Sequence, residues 1–396
     1  MEIGIIGLPN VGKTTLFNVL TSAHAEVGNF PFTTKEQNVG ITILPDKRLS
    51  KLKEVYQPQK LTPATIKFVD IAGLVKGASQ GLGLGNKFLA YIREVDALIQ
   101  VLRCFPDEKT VNVLSEINPG EEIEIVQTEL LLADLEQVQR IIEKFEPKAK
   151  AGDKEAKEKI SLFNEIKKNL EQGISLKSTS LPREEIFSYH FLTAKPIIYL
   201  ANLAEEDLPR TFAQDTQEES KKTLPAEPTN SRAKVRGLSS YFYWTKLKEH
   251  VWQKEKSEPL PLCVKLEEEI SQLPSEEREK FRLELGEKSE YLENLIWSAY
   301  HLLNLVTFFT VVGTEVRAWT VSRGTPAVKA AGKVHSDMER GFIKAEIFNF
   351  NALEKVALPP SAHGVEKTLH EKGLVHIEGK EYQIQDGDIV HFRFHV

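Results

Sequence analysis

Gly7-Leu8-Pro9-Asn10-Val11-Gly12-Lys13-Thr14 stands between an apolar run, Glu2 to Ile6, and a helical pattern, Lys13 to Ser22. The octet fits G-x-x-x-x-G-K-[ST], and a strand before with a helix after is the context that gives this pattern a mechanism. Glycines let the backbone curl, successive N–H groups point into the curl, and the helix N-terminus adds positive potential, so the loop suits phosphate. Lys13 supplies a point charge and Thr14 a hydroxyl for Mg²⁺. A purely structural glycine turn is the plain alternative, and it does not account for the lysine and threonine.

Val69-Asp70-Ile71-Ala72-Gly73 follows another apolar run. Asp70 is placed to hold the Mg²⁺ shell, and Gly73 to offer a backbone N–H to a γ-phosphate. Between the two motifs lies Asn29-Phe30-Pro31-Phe32-Thr33-Thr34, a candidate switch in which one of the two threonines reaches Mg²⁺. Leu74 stands where many GTPases carry a water-orienting glutamine, and leucine cannot orient water. The glycines at 77, 81, 83 and 85 read as a loop that refolds with nucleotide.

Strand-like runs at Ile66–Ile71 and Ala97–Cys104, with helical patterns at Lys13–Ser22 and Asn86–Arg93, point to parallel βαβ construction. Pro196–Ala201 and Pro261–Leu266 are expected to complete the sheet. Before these two, Glu121 to Gln172 is charged with apolar residues at helical spacing, which predicts a helical hairpin interrupted at Pro147 and Gly152. Its charge reads ordinarily as a solvated face, and more sharply as a docking arm. Glu206 to Asn230 has few large apolar side chains and reads as a loop. The aromatic segment Tyr241 to Trp252 reads as core packing, with a platform for a base as the alternative. From Asn304 onward, short β-rich runs surround a helical stretch at 326–340, a separate α+β domain.

The chain has 396 residues, 41% hydrophobic and 27% charged, with net charge −6. That composition implies no general attraction to nucleic acid or anionic membrane, and DNA is not an expected partner. No apolar run is long enough to span a bilayer. Two cysteines, Cys104 and Cys263, exclude a disulfide framework and fit the cytoplasm.

A base-reading loop should follow a late parallel strand, and Asn202-Leu203-Ala204-Glu205 stands where a guanine reader has N-K-x-D. Guanine offers two adjacent donors to the aspartate, whereas adenine offers an amino donor beside an acceptor. Leu203 also replaces the lysine stem that covers the base. ATP is therefore expected over GTP.

Taken together these residues resemble the Obg-like ATPases, the YchF subfamily of the translation-factor-related P-loop GTPases. The resemblance spans nearly the whole chain. It rests on the phosphate-loop octet, on Asn29 to Thr34, on Asp70 to Ser79 with Gly83 to Asn86, and on Asn202 to Glu205. It extends to Glu315 to Thr320, Ala330 to Asp337 and Arg340 to Ala345, which resemble a TGS domain. The resemblance implies an α/β P-loop NTPase fold with a doubly wound, mostly parallel sheet. A nucleotide-binding domain over 1–282 would be interrupted by a helical arm at 121–190 and a long insert at 206–256, with a β-grasp TGS domain at 304–396. It further implies that Asn10, Val11, Gly12, Lys13, Thr14 and Thr15 bind phosphates, that Thr14 and Thr34 coordinate Mg²⁺, and that Leu203 contacts the base. The expected partner is the ribosome, its large subunit, or ribosomal RNA. Glu206 to Glu258 is longer than the resemblance leads one to expect, and Cys263-Val264-Lys265 stands in place of a small-residue base loop.

The sequence reading is thus a Mg²⁺-dependent ATPase, with Lys13 and Gly73 in the catalytic role and Asn202, Leu203 and Glu205 at the base. Its rivals are a GTPase of the same fold and a nucleotide-gated binding module with negligible turnover.

Overall fold

The computed structural model describes residues 1–22, 39–71, 84–106, 114, 116–208, 238–285, 290–354 and 362–395. Along the chain these form β1 (Glu2–Ile6), α1 (Lys13–Ser22), β2 (Val39–Ile43), α2 (Lys47–Tyr56), β3 (Lys60–Thr62), β4 (Thr65–Asp70) and α3 (Leu84–Glu94). There follow β5 (Ala97–Arg103), α4 (Pro119–Lys150), α5 (Lys154–Glu171), α6 (Arg183–Ser188), β6 (Ile197–Asn202), α7 (Leu238–Glu255), β7 (Leu260–Leu262), α8 (Val264–Gln272), α9 (Ser275–Leu285) and α10 (Tyr291–Leu302). The remainder is β8 (Leu305–Val312), β9 (Glu315–Ser322), α11 (Ala327–Val334), α12 (Ser336–Arg340), β10 (Phe342–Asn349), α13 (Asn351–Glu354), α14 (Ala362–Glu371), β11 (His376–Glu378) and β12 (Asp388–Phe394). Among the described residues no helix is long and apolar enough to cross a membrane.

Two compact units result, Met1–Gly40 with Lys67–Ala299, and Ile41–Ile66 with Tyr300–Val396. In the first, the strand order is β2-β4-β1-β5-β6-β7, and β4, β1, β5, β6 and β7 run parallel. Ile3, Ile5, Phe68, Leu98, Ile99, Val101 and Leu200 are all buried, because helices cover both faces of such a sheet and the strands read as unbroken apolar runs. The register sets Ile5 opposite Asp70 and Arg103 opposite Asn202. The carboxyl ends of β1, β4 and β6 therefore lie along one edge of the sheet, where open α/β sheets bind ligands.

The hairpin is α4 and α5, packed on Val138, Phe163, Ile166 and Leu170. Asn118 caps α4 by accepting from the Glu121 N–H at 3.2 Å, and Asp153 caps α5 by accepting from Ala156 at 3.1 Å. Pro147 does not end α4, contrary to expectation; it lies within the last turn, and the chain reverses at Gly152, whose φ is +98°. So near the helix end the proline forfeits one hydrogen bond without breaking a long run.

The expected strand at 261–266 is shorter. β7 stops at Leu262, Cys263 caps α8, and Val264, Leu266 and Ile270 are buried at helical spacing. Trp244, Leu247 and Val251 of α7 face the core, as the packing reading expects, while Trp252 is exposed. Residues 209–237 of the expected insert lie outside the described residues.

The second unit is a mixed sheet of order β11-β10-β12-β8-β9-β3. β8 and β12 are parallel in its middle, each with an antiparallel partner, and α11 lies over a core of Val306, Phe308, Val321, Ile347 and Val390. This is a β-grasp arrangement. One of the short apolar runs, Tyr382–Ile384, contributes an isolated bridge between Gln383 and Pro326, and its Tyr382 hydroxyl donates to Asp388 at 2.9 Å. The helical stretch at 326–340 breaks at His335, whose extended backbone and Nδ1 cap α12.

Residues 41–66 group with this unit rather than with the nucleotide-binding one. β3 pairs in parallel with β9, Gln59 N–H donates to the Thr314 carbonyl at 2.8 Å, and Arg48 bridges Asp46 and Asp386 while lying 5.2 Å from the Phe309 ring centre. Such non-local pairing leaves no mark in the local sequence pattern.

Candidate nucleotide-binding site

The phosphate loop takes its shape from three residues in the left-handed half of backbone space: Gly7 (φ +147°), Asn10 (φ +65°) and Gly12 (φ +105°). A Cβ on Gly7 would lie 2.5 Å from the Val101 carbonyl oxygen, and one on Gly12 would lie 2.6 Å from Asn202 Nδ2. Both positions exclude side chains for steric as well as conformational reasons. α1 then begins at Lys13, with the Leu16 N–H donating to the Gly12 carbonyl at 2.9 Å. The first amides of a helix lack intrahelical partners, and such a terminus after a glycine curl is suited to an anion.

Lys13 is only 8% exposed, and its Nζ donates to the Leu8 carbonyl at 2.8 Å. Burial lowers its pKa, opposed by the charges of Asp70 and Glu122. Thr14 is exposed, and its hydroxyl donates to Asp70 Oδ2 at 2.8 Å. Asp70 Oδ1 is buried and without a hydrogen-bond partner among the described residues. Buried carboxylate oxygens left unbonded are costly, so Asp70 Oδ1 beside the Thr14 hydroxyl suits a bound cation. Thr15 is half-buried beside them. Thr34, Gly73, Leu74 and the glycine-rich run as far as Gly83 lie outside the described residues.

On the base side, Asn202 is buried and fully engaged. Nδ2 donates to the Val11 carbonyl at 3.0 Å, and Oδ1 accepts from the Val264 N–H at 3.1 Å. Its side chain therefore clamps the phosphate loop to the start of α8. Leu203 is 1% exposed and its N–H donates to the Leu262 carbonyl at 2.9 Å. Glu205 is exposed at the start of a short helical turn.

One residue escaped the sequence reading. Glu122, in the first turn of α4, is buried, with Oε2 accepting from the Arg103 N–H at 3.4 Å and its backbone carbonyl accepting from Gln100 Nε2 at 3.2 Å. Burial pushes its pKa up to about 8, against the pull of Arg103 and Lys13. An acidic first turn is ordinary in helices, so the sequence carried no sign that this carboxyl turns inward toward Lys13.

Sheet order, phosphate loop and the Thr14–Asp70 pair define a P-loop nucleoside triphosphatase. Residues 2–143 match a family described as 50S ribosome-binding GTPase, and residues 305–395 match the YchF-GTPase C-terminal family, described as a protein of unknown function. The chain is 42% identical to the ribosome-binding ATPase YchF of Haemophilus influenzae, over 100% of this chain and 99% of that one. It is 41% identical to the Bacillus subtilis protein of the same name, over 100% of both. The structure of the Schizosaccharomyces pombe YchF GTPase superposes with a TM-score of 0.80 at 32% identity, covering 99% of this chain and 97% of that one. The chain belongs to the YchF family.

Proposed function

We propose that the protein binds and hydrolyses ATP with Mg²⁺, in preference to GTP, and that this cycle changes its hold on the ribosome. The observation that carries the reading is the phosphate loop with Lys13 at its floor and the Thr14–Asp70 pair at its mouth. Thr14 Oγ1 and the unbonded Asp70 Oδ1 fit a Mg²⁺ ion, which when bound would neutralise charge between the β- and γ-phosphates. Lys13 and the α1 amides hold the phosphate oxygens. Thr34 and the Gly73 N–H belong to the reading through the sequence motif alone.

The preference for ATP rests on Leu203 and Glu205 in place of a lysine and an aspartate. Curated relatives named ribosome-binding ATPase support both the base and the partner. The match of residues 2–143 to a 50S ribosome-binding family supports the large subunit. The helical arm and the C-terminal β-grasp unit are the surfaces we assign to that contact, in the cytoplasm where ribosomes are.

A GTPase is the second reading, favoured by the name of the Schizosaccharomyces pombe structure and by the description of that same family. Calorimetric titration with ATP and GTP decides between them. Phosphate release with and without large subunits then decides whether the ribosome accelerates turnover. Tighter binding of GTP overturns the base assignment, and turnover indifferent to ribosomes overturns the coupling.

A further inference from the structure

Residues 192–196 bond three elements at once. Lys195 is 8% exposed, and its Nζ donates to the Arg93 carbonyl at 3.0 Å and to the Val95 carbonyl. Those carbonyls close the C-terminal end of α3, where the helix dipole favours a cation. Asp134, on α4 of the arm, is wholly buried and accepts from Leu192 N–H at 2.9 Å, Thr193 N–H at 2.8 Å and Thr193 Oγ1 at 2.7 Å. The Pro196 carbonyl accepts from the Leu98 N–H at 3.0 Å, fixing the segment to β5.

A buried carboxylate and a buried ammonium are expensive ways to join elements that apolar packing would hold as well. What they add is direction. Each is bonded to backbone groups of another segment, so a small displacement breaks bonds rather than sliding along an apolar face. α3 is the first described element after Asp70 and Ile71, and α4 carries the arm.

We propose that Asp134 and Lys195 are positioning residues that couple α3 to the helical arm, so that a shift of α3 with nucleotide state moves α4 through residues 192–195. The inference rests on the nucleotide-switch reading above. Displacing the end of α3 pulls Lys195 with it. The backbone of Leu192 and Thr193 then moves against Asp134, and the middle of α4 must follow or lose three hydrogen bonds.

The test is amide hydrogen exchange on the full-length protein, free and saturated with ADP or a non-hydrolysable ATP analogue, alongside calorimetric nucleotide affinity. The wild type is expected to show a severalfold nucleotide-dependent change in exchange across residues 119–140. Asp134→Asn and Lys195→Met are expected to keep their nucleotide affinity and lose that change. Thr193→Val removes the hydroxyl's bond to Asp134 and its weaker acceptance from the Leu176 N–H, leaves both backbone bonds to Asp134, and is expected to reduce the change should either of the others fail to fold. A purely structural role lowers protection equally in all nucleotide states, and that pattern overturns the proposal. So does a wild type that binds nucleotide with no response in the arm. A wild type that binds neither nucleotide overturns the functional reading, and this inference with it.

Discussion

The phosphate side and the base side of the site open at the same edge of one sheet, yet they are assembled from different materials. The phosphate side is largely local: eight consecutive residues supply the curl, the cation and the hydroxyl, and Asp70 joins them from β4. The base side is drawn from two distant segments, Asn202–Glu205 and Cys263–Val264, and its buried asparagine bonds to protein rather than facing outward. Backbone amides and a helix terminus recognise phosphate whatever the surrounding side chains are. A base is recognised by side chains that must first be held in place, so its reading depends on packing.

The sharpest way to break this contrast is on the phosphate side. Lys13→Ala or Thr14→Ala is expected to lower turnover by about 10²- to 10³-fold, the usual loss when one preorganised electrostatic contact to a transferring phosphoryl group is removed. Among the described residues the Lys13 ammonium bonds the Leu8 carbonyl of its own loop, and Thr14 is exposed, so circular dichroism and thermal melting should change little. Unchanged phosphate release by folded Lys13→Ala would remove this loop from the active site.

Asn202→Ala tests whether the two sides are one structure. It deletes the bond to Val11 and strands the Val264 N–H in a buried place, at a cost of about 2–4 kcal/mol in stability. Because Asn202 Nδ2 stands over Gly12, affinity for ATP should fall together with stability. Lost stability with intact ATP affinity, read by denaturant titration and calorimetry, would show the clamp to be independent of phosphate binding.

A base-side change should be smaller. Leu203→Lys with Glu205→Asp restores the guanine-reading pattern, and one charge-assisted pair to the base supports a shift toward GTP of roughly tenfold. Leu203 is 1% exposed, so the lysine must emerge from a packed position and the shift should come with lower stability. Competition binding of ATP against GTP in wild type and variant measures it. A ratio that does not move would place base selection outside residues 202–205.

Legibility in the sequence follows the same division. β1, the phosphate loop and α1 were readable because glycine, lysine and apolar spacing act over a few residues, and Lys13–Ser22 is helical as expected. The hairpin was readable from its period, although its turn was set by Gly152 and not by Pro147. The assignment of residues 41–66 to the β-grasp unit was not readable, since it depends on β3 meeting β9 and Arg48 meeting Asp386. Nor was the role of Asn202 as a clamp, for an asparagine at a strand end looks the same whether it faces a ligand or its own chain. Burial of Glu122 was hidden likewise, within an ordinary acidic helix start.

Glu122 gives the smallest effect and the finest test, because it is a non-local contribution to the otherwise local phosphate side. Its pKa rises from the ordinary 4.5 to about 8, chiefly through burial, with the Arg103 and Lys13 charges opposing. The folded state therefore holds more protons on this group than the unfolded state between those values. Stability from this group is present below the ordinary carboxylate range, and is lost as pH rises toward about 8. In Glu122→Gln that slope should vanish, so the two proteins differ by up to about one proton per molecule in their pH dependence. Above about pH 8 the wild-type carboxylate ionises near Lys13, which adds negative charge beneath the phosphates and should weaken ATP binding relative to Glu122→Gln. Arg103 and Lys13 are the cations that face it, and the neighbouring Cys104 thiol is buried and itself pushed up. Denaturant unfolding from pH 5 to 9, with ATP titrations at pH 7 and 9, measures both effects. Parallel pH profiles in the two proteins would mean that Glu122 stays ionised throughout, and that the phosphate side owes nothing to the helical arm.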